Sequence, residues 1–316
     1  MNLNELLNIK YPVIQGGMAR IARGKLAAAV SNAGGLGLVG TGGFTIEEFR
    51  NEIKIARENL EEGKIFGVNL VLIEKDIEEK IEITIEEKIP VVTMGAGNPA
   101  PYMEKLLGAG LVVIPVVGNT KMAKKVEALG VQACIIEGME AGGHLGKMGS
   151  MASILQVSSL VDIPVIAAGG IGHGAQVLAA QAMGAGGVQM GTRFLVAEET
   201  EIHENFKQAL IDAKDYETDI TGVTKNEPVR QLSNEMTKAY IKKEFEGADS
   251  QELTDLVKGS LSRAIFEGDV KTGSMMAGQI VGILDKVQTV EEIFEQMVKE
   301  YKEAKESIEK NEDFLF

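Results

Sequence analysis

The sequence predicts an α/β protein, a (β/α)8 barrel of the TIM type followed by a C-terminal helical cap. Three observations carry that expectation. Eight short apolar runs, near residues 13, 37, 66, 91, 111, 133, 165 and 187, alternate with helix-like segments at the repeat length of parallel βα units. Several runs leave through glycine-rich exits, and the glycines cluster after the sixth, seventh and eighth runs, the rim where barrels build their sites. The first run is not followed by a dinucleotide fingerprint with an acidic residue about 20 positions on. A doubly wound open sheet is therefore the runner-up.

The elements follow in order. Residues 1–10 read as a short opening helix or turn. The first strand, 13–15, exits through Gly16, Gly17 and Met18. An Ala-rich helix over 25–31 stops at Gly34 and Gly35, and a strand over 37–39 follows. Thr45, with Glu48 three residues on, forms a capping box for a helix whose buried face carries Phe49, Ile53, Ala56 and Leu60. Strands are expected over 66–70, 91–94, 111–116 and 133–136, separated by helices over 76–87, 102–107 and 121–129. After a longer excursion come a helix over 150–158, a strand over 165–168, a helix over 175–183 and the last barrel strand, 187–190. Beyond Phe194 the alternation stops, and helices are expected over 204–212, 235–245, 253–266 and 290–309. The division expected is a barrel over 1–197 and a helical cap over 198–316, with 273–316 returning to the barrel.

Composition narrows the function. The chain has 316 residues, 45% apolar and 25% charged, enough for a large core. A formal charge of −14 disfavours nonspecific nucleic-acid binding. The single cysteine, Cys134, excludes an intrachain disulfide, and one Cys with three scattered His makes no thiolate zinc site. No signal-peptide core and no run of roughly 20 apolar residues is present, so a cytoplasmic location without membrane insertion is expected.

The stretch C-I-I-E-G-M-E-A-G-G-H-L-G-K, 134–147, is the centre of the reading. An apolar run ends at Glu137, and a glycine-rich turn presents His144 as a candidate proton donor, acceptor or ligand-orienting group. The alternative is a surface histidine with no chemistry. Glu137 at a strand end must be hydrogen-bonded, either to amides of the next loop or to a ligand. Gly169–Gly170 and Gly191–Thr192 read as a phosphate cradle, with unobstructed backbone N–H groups and a possible Thr192 hydroxyl; ordinary βα turns are the bland alternative. The amides of Gln15, Asn69 and Gln189 near strand exits suit the edge of a heteroaromatic ring, or else bridge strands. His173 and His203 are expected to be surface or supporting residues. Seven of the 14 methionines, among them Met18, Met190 and Met276, fall near the proposed rim.

With these segments in view, the chain resembles a known family. E-G-M-E-A-G-G-H-L-G-K, I-P-V-I-A-A-G-G-I (163–171), V-Q-M-G-T-R-F (188–194) and M-A-G-Q (276–279) are similar to the FMN-dependent enoyl-acyl carrier protein reductase II, FabK type, within the nitronate monooxygenase (2-nitropropane dioxygenase) family. Y-P-V-I-Q-G-G-M-A, F-G-V-N and V-V-T-M-G-A-G-N-P agree, so the likeness spans nearly the whole chain. The resemblance implies FMN at the barrel mouth. Gly16, Gly17, Met18, Asn69 and Glu137 would serve its ring and ribityl side, with the Gln189 amide read from its strand exit added to the cofactor set. Gly169, Gly170, Gly191 and Thr192 would hold its phosphate, and His144 would be the active-site histidine. It implies NADH or NADPH as reductant, a trans-2-enoyl thioester on acyl carrier protein as substrate, a homodimer, and ammonium or potassium as a possible activator. Nitronate monooxygenase, with His144 as base, is the alternative. Three departures stand out. Arg20 occupies a place where an aromatic residue is expected, 171–174 reads I-G-H-G, and 221–230 is unlike the family.

Overall fold

The computed structural model describes residues 2–310. Eight parallel strands form a nearly closed barrel: β1 (Val13–Gln15), β2 (Leu38–Gly40), β3 (Gly67–Val71), β4 (Val91–Gly95), β5 (Val112–Val117), β6 (Cys134–Glu137), β8 (Val165–Ala168) and β9 (Gly187–Met190). Strand β7 (Gly143–His144) lies outside it. The order runs β1-β9-β8-β6-β5-β4-β3-β2. Leu36 closes the circle: Gln15 N–H donates to its carbonyl (3.0 Å), and its own N–H donates to that of Val13 (2.8 Å).

Between the strands run α2 (Gly24–Asn32), α3 (Ile46–Asn59), α4 (Ile77–Glu86), α5 (Met103–Gly108), α6 (Thr120–Glu127), α7 (Ser150–Ser158) and α8 (Gly174–Ala182). The capping box expected at Thr45 is formed: its Oγ1 accepts from Glu48 N–H (3.2 Å), and Glu48 accepts from Thr45 N–H (2.8 Å). Opening helix α1 (Leu3–Leu7) plugs the N-terminal end of the barrel, where Leu3 and Leu7 join an interior cluster with Ile14, Leu38, Val91, Ile114, Ile135 and Ile166. Their strand neighbours Val13, Val39, Val92, Val113, Ile136 and Val188 face the surrounding helices.

This alternation decides what reaches the mouth. A strand turns successive side chains to opposite faces. Glu137 therefore shares the inward face of Ile135. Gln189 follows outward-facing Val188. Asn69 and Thr93 lie between outward-facing pairs, Val68 with Leu70 and Val92 with Met94. Four polar side chains thus cap the interior at its C-terminal end.

Beyond β9, the short helix α9 (Thr192–Leu195) precedes α10 (Glu204–Asp212), α11 (Glu235–Phe245), α12 (Ser250–Val257), α13 (Ser260–Ser262) and the long α14 (Val290–Lys310). Leu195, Phe206, Leu210, Leu232, Ile265 and Val281 form a second apolar cluster under this part. Helix α14 packs on α8 and α2, with Phe294 stacked on Tyr11 at 5.5 Å.

Two expectations are corrected. The part after Phe194 is not purely helical: β10 (Thr218–Thr221) and β11 (Val229–Leu232) form an antiparallel hairpin, and β7 joins it to make a three-stranded sheet. The helix expected over 253–266 is two pieces. Gly259, at φ +71°, breaks it, and the chain resumes as α13 and a π-turn over Arg263–Glu267.

Candidate active site

The strand exits converge on a cavity of about 420 Å³ at the C-terminal end of the barrel. All eleven site residues expected from the sequence line it: Gly16, Gly17, Met18, Asn69, Glu137, His144, Gly169, Gly170, Gln189, Gly191 and Thr192. A second groove of about 470 Å³, between α8, α14 and the N-terminal ends of β1 and β9, is largely apolar and contains none of them. The mouth at the strand C-termini is where this architecture does its chemistry.

One wall is backbone. A Cβ on Gly17 would overlap the Asn69 amide and lie 2.7 Å from Asn69 Cβ, so only glycine lets the first loop pass this close to β3. Asn69 Nδ2 donates to Thr93 Oγ1 (2.9 Å), which fixes the amide plane. Beside Gly16, Gln189 Oε1 is buried and accepts no hydrogen bond. A buried carbonyl without a donor is costly. A ligand N–H would supply what the protein does not.

Glu137 closes the floor. Burial alone pushes its carboxyl up from the usual carboxylate range to about 7, although water reaches it through the cavity. It does not bind the amides of the following loop, as one sequence expectation held. Glu140 does so instead: its carboxylate accepts from Ser150 N–H (2.9 Å) and Ser150 Oγ–H (2.8 Å). Ser150 Oγ also lies 2.9 Å from the Gly169 carbonyl, joining three loops. Glu140 was within the quoted motif, but nothing in its spacing separated it from Glu137.

Gly169 and Gly170 have φ +88° and +71°. A Cβ on Gly169 would lie 2.7 Å from the Gly138 carbonyl. Gly191 and Thr192 follow the neighbouring strand β9 and line the same cavity beside them. Thr192 Oγ1 accepts from Gly278 N–H (2.8 Å), leaving its own proton to donate. The residues fit a flat heteroaromatic ring with alternating edge groups and an attached phosphate.

His144 stands at the mouth, exposed, on β7. It pairs with Val229, and Leu145 N–H donates to the Pro228 carbonyl (2.9 Å). Arg230, 4% exposed, pairs with Gly143 and donates from Nη1 to Thr218 Oγ1 (2.9 Å) and from Nη2 to the Met139 carbonyl (3.3 Å). The histidine is thus positioned by the cap hairpin as well as by the barrel. Cap residues Leu261, Met276 and Ile280 complete an apolar wall that only the tertiary fold assembles.

Gln15 falls away from the cavity, while His173 and His203 take the supporting places expected of them. Gln15 is buried between strands, its Oε1 accepting from Leu38 N–H (2.9 Å). His173 caps α8, its Nδ1 accepting from Ala175 N–H (3.0 Å) and its Nε2 lying 3.4 Å from Glu300 Oε1. His203 caps α10. Arg193, next to Thr192, is buried and bonded to Gln288 (2.8 Å).

Comparison with known proteins agrees with this geometry. The model of the nitronate monooxygenase family matches residues 1–80 and 74–300, and the chain belongs to that family of flavin-dependent oxidoreductases. Among solved structures, FabK from Thermotoga maritima is 41% identical with a TM-score of 0.93, covering 97% of each chain. A probable nitronate monooxygenase from Staphylococcus haemolyticus is 32% identical over 78% of this chain and 81% of its own. A (3aS,4S,5R,7aS)-5-hydroxy-7a-methyl-1-oxo-octahydro-1H-indene-4-carboxyl-CoA dehydrogenase from Rhodococcus jostii is 30% identical over 94% of each. Among the described residues no helix is long and apolar enough to cross a membrane.

Proposed function

We propose that this chain is an FMN-dependent enoyl-acyl carrier protein reductase. The observation that carries the reading is the 41% identity with FabK over 97% of both chains, against 30–32% for the curated relatives. The chemistry supplied by bound FMN is hydride transfer from NADH or NADPH to the β-carbon of a trans-2-enoyl thioester.

The remaining roles belong to the protein. The amides of Gly169, Gly170 and Gly191 and the Thr192 hydroxyl hold the phosphate. Gln189 Oε1 accepts from a ring N–H, and Asn69 and Glu137 bind the other polar edge groups and the ribityl chain. Met18 packs beside the ring. His144 either delivers the proton to the α-carbon or polarises the thioester carbonyl. Leu261, Met276 and Ile280 exclude water from the acyl chain. The acyl carrier protein is the natural bearer of such a substrate, the assembly is a homodimer, and ammonium or potassium belongs in the assay.

The family name and the staphylococcal relatives favour a second reading, nitronate oxidation with His144 as base. One experiment separates the two. Flavin-loaded protein is mixed anaerobically with NADH, ammonium and a short trans-2-enoyl-CoA, and NADH absorbance is followed. NADH loss that requires the thioester supports the reductase. No thioester-dependent loss, with NADPH and a longer acyl chain also tried, refutes it in favour of the nitronate reading.

A further inference from the structure

The first barrel loop carries an arginine in a strained conformation beside the cavity. Arg20 has φ +61°, a region that costs a residue with a Cβ about 1 kcal/mol. Two bonds hold it there. Its N–H donates to the Gly42 carbonyl (2.9 Å), and its carbonyl accepts from Arg23 Nε (3.1 Å). The conformation lays the side chain over Gly43, where a Cβ would meet Arg20 Cγ at 3.1 Å. The guanidinium carbon then stands 5.9 Å from the ring centroid of Phe266, on the π-turn of the cap. Ala19, Ile21, Gly43 and Leu261 line the cavity on this side. The guanidinium therefore stands at the outer rim, where two barrel loops meet the cap.

Its neighbours are paired and it is not. Arg23 binds Glu52 at 2.9 Å, Lys25 binds Glu201 at 2.9 Å, and Arg263 faces Asp269 at 3.6 Å. Among the described residues Arg20 has no carboxylate oxygen within 4.0 Å. Glu48 feels its charge, but that carboxylate already accepts from Thr45 N–H (2.8 Å). An unpaired guanidinium held in strain at the rim of a chain carrying −14 is placed to receive an anion from outside.

We propose that Arg20 anchors a phosphate ester on the handle of an incoming molecule, outside the flavin site, with the Phe266 ring holding the guanidinium in place. This rests on the reductase reading, which brings two phosphate-bearing molecules to the mouth: the nicotinamide dinucleotide, and the coenzyme A or phosphopantetheine arm of the thioester. The shared chemistry is the phosphate, and the experiment separates the sources.

Flavin-loaded wild type, Arg20→Gly and Arg20→Lys are compared in two titrations. One is anaerobic flavin reduction by NADH, giving its apparent dissociation constant. The other is calorimetric binding of coenzyme A. Glycine tolerates the left-handed backbone, so Arg20→Gly removes the guanidinium while relieving strain, and its melting temperature stays at or above that of wild type. One of the two constants should rise about tenfold, as for loss of a charge-assisted hydrogen bond, and its salt dependence should weaken. Arg20→Lys should recover most of the loss. A change confined to NADH assigns the dinucleotide, and one confined to coenzyme A assigns the thioester arm. Both constants within twofold of wild type overturn the proposal while leaving the reductase reading intact. A wild type indifferent to both ligands removes the reading and the role of Arg20 together.

Discussion

Glu137 gives the sharpest quantitative test, in flavin-free protein. Its carboxyl is pushed up to about 7 by burial, against an ordinary value near 4.5. Below pH 4.5 it is protonated whether the chain is folded or not, and burial as the neutral acid carries no ionic penalty. As pH rises toward 7 the unfolded chain releases its proton and the folded chain retains it, so the stability contribution falls and is lost above the folded value. A separation of about 2.5 units corresponds to roughly 3 kcal/mol, an upper bound because water reaches the site through the cavity. In Glu137→Gln the neutral isostere keeps the shape and cannot ionise. Wild type and variant should melt closest together near pH 4, below the unfolded value. By pH 8 the variant should be the more stable, by up to roughly 5 °C. Taking the difference between the two proteins cancels every other titrating group. Melting curves that stay parallel from pH 5 to 8.5 would refute the argument, because Glu137 would then ionise as freely in the fold as in water.

Three further outcomes follow from the same geometry. Gly17→Ala forces Asn69 away from Thr93, and the flavin dissociation constant should rise at least about tenfold by fluorescence titration, with secondary structure by circular dichroism unchanged. Arg230→Met releases the Met139 carbonyl and Thr218 and loosens the strand bearing His144. In single-turnover mixing, reoxidation of reduced enzyme by enoyl-CoA should slow about tenfold or more, while NADH reduces the flavin at the wild-type rate; Arg230→Lys should fall between. Cys134 is fully buried with its thiol pushed up to about 12, so iodoacetamide should label it only at the rate of global unfolding, and rapid stoichiometric labelling of native protein would contradict its placement.

The barrel was legible because its signals are local. Every barrel strand but β3 is a short run closed or followed by glycine, and the inward or outward direction of Glu137, Gln189 and Asn69 follows from alternation alone. The site glycines were legible for the same reason, since a loop that must pass within contact of Asn69, or take positive φ at Gly169, can use little else. The hairpin was not. T-D-I-T is polar and half-covered, V-R-Q-L carries two polar residues that are buried only in the fold, and what makes them strands is pairing with each other and with Gly143–His144, some 85 residues earlier by register. No window along the chain contains that partner. Glu140 escaped for a related reason: its role depends on Ser150 and Gly169 arriving from other loops. Gly259 was visible, but whether a glycine ends a helix or merely weakens it is decided by packing around it.

The pairing of β7 with β11 constrains how this enzyme can be altered. A shift of one residue in register would turn the neighbouring side chains to the opposite face. Residues 139–146 and 218–232 are therefore one unit of inheritance, although the chain writes them far apart. A cap hairpin transplanted from a relative should carry its own histidine segment with it. Grafted alone, it would leave the glycine loops of the barrel mouth whole and His144 misaimed. Laboratory recombination that cuts between these segments should yield well-folded, yellow and inactive protein.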